Sequence, residues 1–377
     1  MIKVSILTQP LGENYGGLLQ AYALQVSLRR LGCDVETLDL RNPAPIKASY
    51  FLNLKIRKIL YSIGFISLQG RRERRFKNMR KFKSMYISMS PFINKNSKIL
   101  SYYSKNKFDA FVVGSDQVWR PSYSPDLPSF FLEFCEILRL PGRRIAYAAS
   151  FGVNTKEFAL KDIERFKTLA EKFNAISVRE DCGIRLCEEY FHLSVEKALD
   201  PTLLLDRVEY EDIINKDCSK GWQGCGGLLV YILDMEESKQ GVINKISSLI
   251  DEHPYYLMGQ EINNSKTNEK ASPYPSVGDW MNSFKSAKFV VTDSFHGCIF
   301  SIIFNKPFLA IGNVSRGLSR FTSLLSMLGL ENRLISAYDE VSEGIVFDEI
   351  NWSEIDAIIK LWREKSINFL ANSIYSK

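Results

Sequence analysis

The chain has 377 residues, of which 45% are hydrophobic and 24% are charged. This length and composition exclude a disordered protein and a disulfide-stabilised mini-protein, and they predict two domains of ordinary size. Residues 1–110 contain 20 Lys and Arg against 6 Asp and Glu, a net charge of +14, whereas residues 111–377 have a net charge of −8. Basic charge is therefore concentrated in the first third of the sequence.

The seven cysteines include no C-x-x-C pair, so the sequence has neither a zinc motif nor a thioredoxin-like motif, and free thiols are expected. The apolar start of the chain is interrupted by Pro10 and Gly12, which does not match a signal peptide. No apolar run reaches the roughly 18 residues that a membrane-spanning helix needs. We expect a cytoplasmic protein without a metal or a cofactor.

The first 40 residues follow a β-α-β pattern. A strand over Val4–Leu7 leads into a loop with three glycines, and apolar residues then recur at helical spacing as far as Gly32. A second strand follows over Val35–Leu40. Further short apolar runs, each closed by Gly, Asp or Pro, predict strands at Ala110–Val113, Arg144–Ala149, Ala175–Val178 and Leu203–Leu205.

The glycine-rich stretch Lys216–Gly227 is the predicted linker, and the β/α alternation resumes beyond it. Four strands are predicted at Leu228–Leu233, Tyr255–Met258, Phe289–Thr292 and Phe308–Ile311. Helices are predicted at Val242–Ile250, Cys298–Phe304 and Leu318–Leu328, with a last helix that starts at Ser353, where Asp356 completes a capping-box-like pattern.

Strands that alternate with helices predict α/β domains with parallel sheets covered on both faces. We therefore expect two doubly wound, Rossmann-like domains that face a cleft, an arrangement that resembles the GT-B fold. The predicted N-terminal domain covers residues 1–215, with a basic amphipathic insertion at about 50–90, and the C-terminal domain covers residues 226–350. Residues 351–377 are predicted to form a helix that packs back across the domains. Ligands of such sheets bind outside the carboxyl ends of the strands.

A polar cluster at residues 292–297 follows the predicted strand Phe289–Thr292. His296 can exchange a proton near neutral pH, and Asp293 is placed to orient it. The start of the following helix supplies unpaired N–H groups that suit an anion. A structural interpretation stays open, in which Asp293 and Ser294 only cap the helix and His296 packs at the junction.

Residues 114–120 follow the strand over residues 110–113 in the same way. Ser115, Asp116 and Gln117 offer hydrogen bonds to a sugar, and Trp119 could stack on a pyranose ring. In the alternative interpretation Asp116 caps a helix and Trp119 fills the core.

The loop over residues 12–17 lies between a strand and a helix, but it lacks the G-x-G-x-x-G and G-K-[ST] signatures, so it is either a ligand-facing loop or a tight turn.

Three arginines lie at the ends of predicted elements, where a guanidinium could clamp a carboxylate or a phosphate: Arg179, Arg316 and Arg320. Each could equally be a surface charge. Asp200, in the turn Asp200-Pro201-Thr202, is either a site residue or a cap of the backbone.

The insertion carries the basic excess in an amphipathic pattern, with apolar residues between the charges. This pattern fits an interfacial helix on anionic lipid, a solvated pair of surface helices or a nucleic-acid stripe. We expect an interfacial helix on anionic lipid, and we expect no nucleic-acid partner. The basic residues are Lys55, Arg57, Lys58, Arg71, Arg72, Arg74, Arg75, Lys77, Arg80, Lys81 and Lys83.

Taken together, these segments resemble the polysaccharide pyruvyl transferase family. The matching segments occur in the family's order: 14–21, 112–119, 145–152, 178–180, 200–202 and 292–297. The resemblance implies a GT-B-like fold and transfer of pyruvate from phosphoenolpyruvate to a sugar diol of a capsular polysaccharide or exopolysaccharide, with formation of a ketal and release of phosphate. It also implies a glycan acceptor, including one attached to a lipid at the inner face of the membrane.

The resemblance assigns roles to individual residues. His296, supported by Asp293, is expected to carry the acid/base chemistry. The expected donor-binding residues are Arg179, Ser294, Phe295, Gly297, Arg316 and Arg320. The expected acceptor-binding residues, all in the N-terminal domain, are Asn14, Tyr15, Gly16, Gly17, Ser115, Asp116, Gln117 and Trp119.

One departure from the family pattern concerns the donor. Characterised members tend to carry an arginine two residues before the histidine, where this chain has Ser294. Arg316, Arg320 or Lys306 could supply the missing charge. Two other functions therefore stay open: a nucleotide-sugar glycosyltransferase on the same scaffold, and a non-catalytic glycan-binding or membrane-binding component.

Overall fold

The computed structural model describes residues 1–41, 73–94, 96–124, 126–155, 157–222, 224–258, 273–313 and 317–376. In these residues the first domain is built on a parallel sheet with the strand order β2-β1-β3-β4-β5-β6. Its strands are β1 (Ile2–Leu7), β2 (Cys33–Thr37), β3 (Ala110–Asp116), β4 (Arg143–Ala149), β5 (Ala175–Val178) and β6 (Glu196–Lys197).

Helices cover both faces of this sheet, so its central strands are largely buried; every residue of β3 is buried, including Ser115 and Asp116 at its carboxyl end. The helix that follows β1 begins at Tyr15, with Asn14 as its N-cap, and ends before Gly32. The helices are α1 (Tyr15–Arg30), α2 (Lys77–Tyr86), α3 (Asn96–Lys105), α4 (Leu127–Phe130), α5 (Glu133–Ile137), α6 (Leu160–Ala170) and α7 (Asp181–Phe191).

The second domain has a parallel sheet with the order β11-β10-β9-β7-β8 in the described residues. Its strands are β7 (Leu228–Tyr231), β8 (Pro254–Tyr256), β9 (Phe289–Thr292), β10 (Phe308–Ile311) and β11 (Leu334–Ile335). The remaining helices are α8 (Arg207–Asp217), α9 (Glu237–Ile250), α10 (Val277–Ser286), α11 (Phe295–Ile303), α12 (Ser319–Met327), α13 (Glu343–Phe347) and α14 (Trp352–Tyr375). The predicted α/β class with two parallel-sheet domains is confirmed.

Several element bounds differ from the sequence prediction, and two of these differences have a clear local cause. The segment predicted as a strand over Leu203–Leu205 belongs to a 3-10 helix over Pro201–Leu204, because Asp200 accepts a hydrogen bond from the Thr202 N–H and tightens the chain into a turn. The last helix begins at Trp352 and not at Ser353, since Asn351 is the residue whose side chain caps it.

The chain crosses to the second domain earlier than the predicted linker. Helix α8, which the sequence places at the end of the first domain, packs on α10, and the Asp217 carboxylate accepts a hydrogen bond from Gly278 N at 3.0 Å. The glycine-rich stretch that follows is fixed to the same helix through Asp279, which accepts hydrogen bonds from Ser219. Helix α14 then returns to the first domain, where Arg363 donates hydrogen bonds to the carbonyls of Leu203 and Leu205.

The two domains touch through apolar and polar contacts beside the cleft. The Tyr15 ring stacks on Trp280 with a centroid distance of 5.1 Å, and the Tyr15 hydroxyl donates a hydrogen bond to the Pro275 carbonyl. Further along the seam, Ser323 of α12 donates a hydrogen bond to Asp181 of α7. One apolar cluster therefore includes residues of both domains.

Within the described ranges, no helix combines the length and the apolar character needed to span a bilayer. Part of the basic insertion, including Lys55, Arg57, Lys58, Arg71 and Arg72, lies outside the described residues. Its remainder includes α2, which buries Met79 and Phe82 and pairs Lys83 with Asp39 at 3.5 Å.

Candidate active site

A cavity of about 450 Å³ lies between the carboxyl edges of the two sheets. This is where a parallel sheet places its ligand-binding loops, because the polar groups that follow neighbouring strands meet at one edge. The lining residues follow β1, β3, β7 and β9 or come from α12: Gln9, Pro10, Asn14, Gly17, Asp116, Gln117, Ser122, Tyr123, Leu233, Asp293, Ser294, Phe295, His296 and Arg320.

A larger cavity, of about 700 Å³, is formed by α8, α14 and the end of α11. It contains none of the candidate catalytic or binding residues that the sequence predicts, and its charged residues include Arg363, which is already bonded to backbone carbonyls. Size alone therefore does not identify the site, and the polar residues of the smaller cavity make it the candidate.

His296 is the second residue of α11, and 5% of its surface is exposed. The Ser294 side chain caps this helix by accepting a hydrogen bond from Gly297 N at 3.3 Å. The His296 Nε2 atom is buried 3.5 Å from Asp200 Oδ2, and it has no hydrogen-bond partner among the described residues. The opposite edge of the ring, with Nδ1, lies against Gly16 of α1.

The contact with Gly16 requires a glycine. A Cβ atom built there would be 2.1 Å from His296 Nδ1, closer than any van der Waals contact allows. Gly16 therefore lets a histidine of the second domain fit against the first helix of the first domain. The sequence assigns Gly16 to the acceptor, whereas the structure places it beneath the imidazole.

Asp293 does not orient His296 in this structure. Its carboxylate accepts hydrogen bonds from Leu233 N at 2.6 Å and Asp234 N at 3.2 Å, and it pairs with Lys239 at 2.9 Å. These contacts hold Asp293 toward the loop after β7. The carboxylate beside the imidazole is that of Asp200, which the sequence leaves open as a site residue or a cap.

Arg179 lies at the centre of a buried ionic cluster. Its guanidinium donates to Asp200 Oδ2 at 2.6 Å and to Asp116 Oδ1 at 3.4 Å, and its Nε atom is 3.9 Å from Glu180 Oε2. Although burial opposes the charge, these three carboxylates raise the pKa of Arg179. Burial also opposes ionisation of Asp200, but His296 and Arg179 hold the pKa of its carboxyl well below its usual range.

Phe295 connects Arg179 with Arg320. The Arg179 guanidinium carbon is 4.8 Å and that of Arg320 is 5.3 Å from the centre of the Phe295 ring, distances typical of cation–π contacts. Arg320 lines the cavity, whereas Arg179 lies behind the lining residues. Burial, and after it the neighbouring Arg179, lower the pKa of Arg320 to about 10, so it remains a cation at neutral pH.

The predicted acceptor residues separate into two groups. Asn14, Gly17, Asp116 and Gln117 line the cavity. Tyr15 is buried against Trp280 at the domain seam.

Ser115 and Trp119 also belong to the interior. Ser115 is fully buried and donates a hydrogen bond to the Ala148 carbonyl. Trp119 stacks on Phe131 with a centroid distance of 5.1 Å and donates its indole N–H to the Phe130 carbonyl, so it cannot stack on a sugar in the cleft.

The aromatic residue that the loop after β3 presents to the cleft is Tyr123, four residues beyond Trp119. It lines the cavity with 45% of its surface exposed, and Arg120 lies 4.2 Å from its ring centre. Sequence reasoning missed Tyr123, Ser122, Gln9, Pro10 and Leu233. The sequence indicates only that these five residues lie shortly after strands β1, β3 and β7. That position does not distinguish a residue that lines the cavity from its neighbours.

The remaining donor residues are placed as follows. Ser294 and Phe295 line the cavity, and Gly297 lies behind it against Thr292 and Tyr231. Arg316 lies outside the described residues. Lys306 is absent from the lining of the cavity, and burial lowers its pKa.

The family assignment agrees with this geometry. The family model described as polysaccharide pyruvyl transferase matches residues 14–316, well over half of the chain, and this range includes the lining residues of the cavity except Gln9, Pro10 and Arg320. The chain belongs to the polysaccharide pyruvyl transferase family. Membership makes the protein a transferase that acts in polysaccharide biosynthesis. No curated protein matches the sequence.

Solved structures show the same fold at low sequence identity. UDP-N-acetylglucosamine 2-epimerase from Rickettsia bellii is 11% identical with a TM-score of 0.51, and the match covers 99% of this chain and 97% of the epimerase. Arabidopsis thaliana UGT89C1, complexed with UDP, is 8% identical with a TM-score of 0.53, covering 99% of this chain and 100% of that one. These neighbours confirm the GT-B-like arrangement.

Proposed function

We propose that the protein transfers pyruvate from phosphoenolpyruvate to a sugar diol in the repeat unit of a surface polysaccharide, forming a pyruvyl ketal and releasing phosphate. The observation that carries this proposal is the convergence on one cavity of a buried imidazole, a buried arginine and the N-terminal ends of α1 and α11. Membership of the polysaccharide pyruvyl transferase family supports pyruvate as the transferred group and a polysaccharide as the acceptor.

The donor fits the wall formed by the second domain. Phosphoenolpyruvate carries a carboxylate and a phosphate, and both are ligands for a guanidinium and for unpaired helix N–H groups. Arg320 supplies the cation at this wall, and α11 presents its N-terminus through Ser294. In this proposal Arg320 replaces the arginine that the family pattern would place at Ser294, while Arg179 lies behind Phe295 and is paired with three carboxylates.

The reaction needs one acid/base group beside the enol carbon. C3 of the donor gains a proton while the first sugar hydroxyl adds to C2; phosphate then leaves, and the second hydroxyl adds to the same carbon. One hydroxyl proton ends on C3 and the other on phosphate, so atoms and charge balance. His296 presents Nδ1 on the side away from Asp200 and is the group that we assign to these proton transfers.

The acceptor fits the wall formed by the first domain. Asn14, Gln117 and Ser122 offer amide and hydroxyl groups, and Tyr123 offers an aromatic ring that is partly exposed. Sugars bind to this combination because their hydroxyls need hydrogen bonds and their C–H faces pack on rings. Tyr123 therefore takes the stacking role that the sequence analysis gives to Trp119.

The basic insertion supports contact with a membrane that carries a lipid-linked acceptor. In its described part, Arg74 and Arg75 precede α2. Each basic residue near an anionic surface contributes about 1 kcal/mol. Charge reversal of Arg71, Arg72, Arg74 and Arg75 should weaken sedimentation with phosphatidylglycerol vesicles, and unchanged binding would mean that this segment is only a solvated surface.

The decisive experiment measures phosphate release from phosphoenolpyruvate with and without glycan repeat units as acceptors. Release that depends on both substrates, with a ketal detected by mass spectrometry, is expected. A thermal-shift comparison with UDP-sugars provides the counter-test, since a ligand that binds only the native state stabilises it. Stabilisation by a UDP-sugar, and none by phosphoenolpyruvate, would favour a glycosyltransferase instead.

A further inference from the structure

Asp200 is held in place from several sides. Its Oδ1 atom accepts hydrogen bonds from the Thr202 N–H at 3.0 Å and the Thr202 hydroxyl at 2.7 Å, and its Oδ2 atom accepts one from Arg179 at 2.6 Å. Its side chain is 1% exposed. The same Oδ2 atom is 3.5 Å from His296 Nε2. A carboxylate fixed in this way defines where the edge of the imidazole can lie.

We propose that Asp200 is a positioning residue for the acid/base chemistry: it fixes the imidazole of His296 with Nε2 directed at the carboxylate, which leaves Nδ1 for the substrate. This inference rests on the proposed function for its catalytic consequence, but the state of the ring can be tested without any substrate. A neutral histidine paired with a carboxylate places its proton on the paired nitrogen, and a charged ring also keeps the second proton for transfer.

The contacts around Asp200 keep its carboxylate ionised and in place. Arg179, itself buried, pairs with Asp200 and is held in turn by Asp116 and Glu180. A carboxylate only accepts hydrogen bonds, so the ring nitrogen that faces Asp200 is the one on which a proton is favoured. Asp200 therefore selects Nε2 as the protonated nitrogen.

The other elements that pack on His296 leave Asp200 as the carboxylate beside Nε2. Helix α1 presents Gly16, which carries no charge. Phe295 contributes a ring 5.4 Å from the imidazole centre, and Asp293 is paired with Lys239. Although burial opposes it, His296 and Arg179 hold the pKa of Asp200 well below its usual range, which agrees with an ionised carboxylate at this position.

The alternative role of Asp200 is purely structural, as the cap of the turn that begins at Pro201. Two variants separate the roles. Asp200→Asn removes the charge but keeps the size of the side chain. Thr202→Val removes the hydroxyl that donates to Asp200, and thereby weakens the turn, but it keeps the carboxylate beside the imidazole.

The test is nitrogen NMR of the full chain labelled with ¹⁵N-histidine. The chain has three histidines, so three pairs of ring signals are expected, and His296→Gln identifies the pair of interest. The wild-type protein and Thr202→Val should show a proton on His296 Nε2. Asp200→Asn should lose this preference for Nε2, with the signals of His192 and His253 unchanged as evidence of an intact fold.

Two NMR outcomes would overturn the proposal: a His296 signal in Asp200→Asn that matches the wild type, or a wild-type ring whose Nε2 carries no proton. If Asp200→Asn does not fold, the wild-type spectrum still tests whether Nε2 carries a proton, and Asp200→Glu serves as the second variant. Glu keeps the carboxylate and should retain the proton on Nε2.

Kinetics test the consequence for catalysis. Asp200→Asn should lower kcat for phosphate release by about 10- to 100-fold, with KM for phosphoenolpyruvate changed less than about threefold. Asp200→Glu should recover part of the loss. An equal rise in KM would point to a binding role and count against positioning. If the NMR result holds but the wild type releases no phosphate, the proposed function fails while the placement of the ring stands.

Discussion

The two walls of the cleft differ in chemistry although both follow the carboxyl ends of parallel strands. The wall from the second domain carries the imidazole of His296, the cation Arg320 and the N-terminus of α11. The wall from the first domain carries amides, a hydroxyl and the exposed ring of Tyr123, with Asp116 as its charged group. The second wall also carries Asp293, whose charge is paired with Lys239. In the proposed function, the anionic donor therefore binds to the second domain and the sugar to the first.

This division extends behind the lining residues. Asp116 is tied to Arg179, which it shares with Glu180 and Asp200 inside the first domain. Arg320 reaches the same cluster from the second domain and meets it at Phe295. The ionic cluster therefore joins the walls, while the groups that face the cavity remain distinct. The following variants test whether each wall serves one substrate.

The largest effect is expected at His296. His296→Asn should lower kcat for phosphate release by about 10²- to 10⁴-fold, because the proton transfers lose their positioned acid/base group. Phosphoenolpyruvate should still raise the melting temperature, since Arg320 is kept. His253→Asn, at an exposed histidine, is the matched control. An unaffected rate in His296→Asn would remove this residue from the mechanism.

Arg320 tests the donor wall. Arg320→Ala should raise KM for phosphoenolpyruvate by about 10- to 150-fold, the equivalent of losing a charge-assisted hydrogen bond worth roughly 1.5–3 kcal/mol. KM for the acceptor should stay near the wild-type value. Arg185→Ala, on the exposed surface of α7, controls for loss of positive charge. A selective rise in the acceptor KM would reverse the assignment of the walls.

Gly16 tests the contact between the walls. Gly16→Ala should displace the imidazole and cost about 1–3 kcal/mol of the free energy of unfolding, because the new methyl group overlaps the ring. Gly17→Ala is the matched control for stability, since its Cβ would meet Asn14 at an ordinary 3.7 Å. Urea unfolding of both variants measures the difference. Equal stabilities would show that His296 does not pack on α1 in solution.

Tyr123 tests the acceptor wall, where the smallest effect is expected. Tyr123→Ala should raise KM for the glycan acceptor by about three- to tenfold through lost ring packing, and leave KM for phosphoenolpyruvate unchanged. Tyr123→Phe keeps the ring and should behave like the wild type. Steady-state kinetics with each substrate varied in turn give both constants. A donor-specific effect would contradict the division of the cleft.

Much of the fold could be predicted from the sequence, because apolar runs and punctuating glycines are local signals. The strands Ala175–Val178, Phe289–Thr292 and Phe308–Ile311 have the predicted bounds. The strand predicted at Leu203–Leu205 is wrong because an Asx turn at Asp200 competes with extended backbone there. Local propensity cannot weigh that hydrogen bond against an apolar pattern.

The candidate site was predicted in part. His296, Ser294, Asn14 and Arg320 lie at the cleft as expected. The partner of His296 could not be found by spacing, since Asp200 is 96 residues away in the chain and Asp293 only three. The roles of Trp119 and Tyr123 could not be predicted for the same reason. The two residues lie four positions apart, and the sequence does not indicate which aromatic side chain packs in the core and which faces the cleft.

The sequence by itself determined the two-domain α/β architecture, the family and the segments that follow the strands, because these depend on periodicity and on ordered motifs. Only the tertiary structure decided which carboxylate faces the imidazole, which aromatic ring enters the cleft and which arginine lines it. Those choices depend on how two sheets and their connecting loops pack across a seam. Distances across that seam are set by packing and not by separation along the chain.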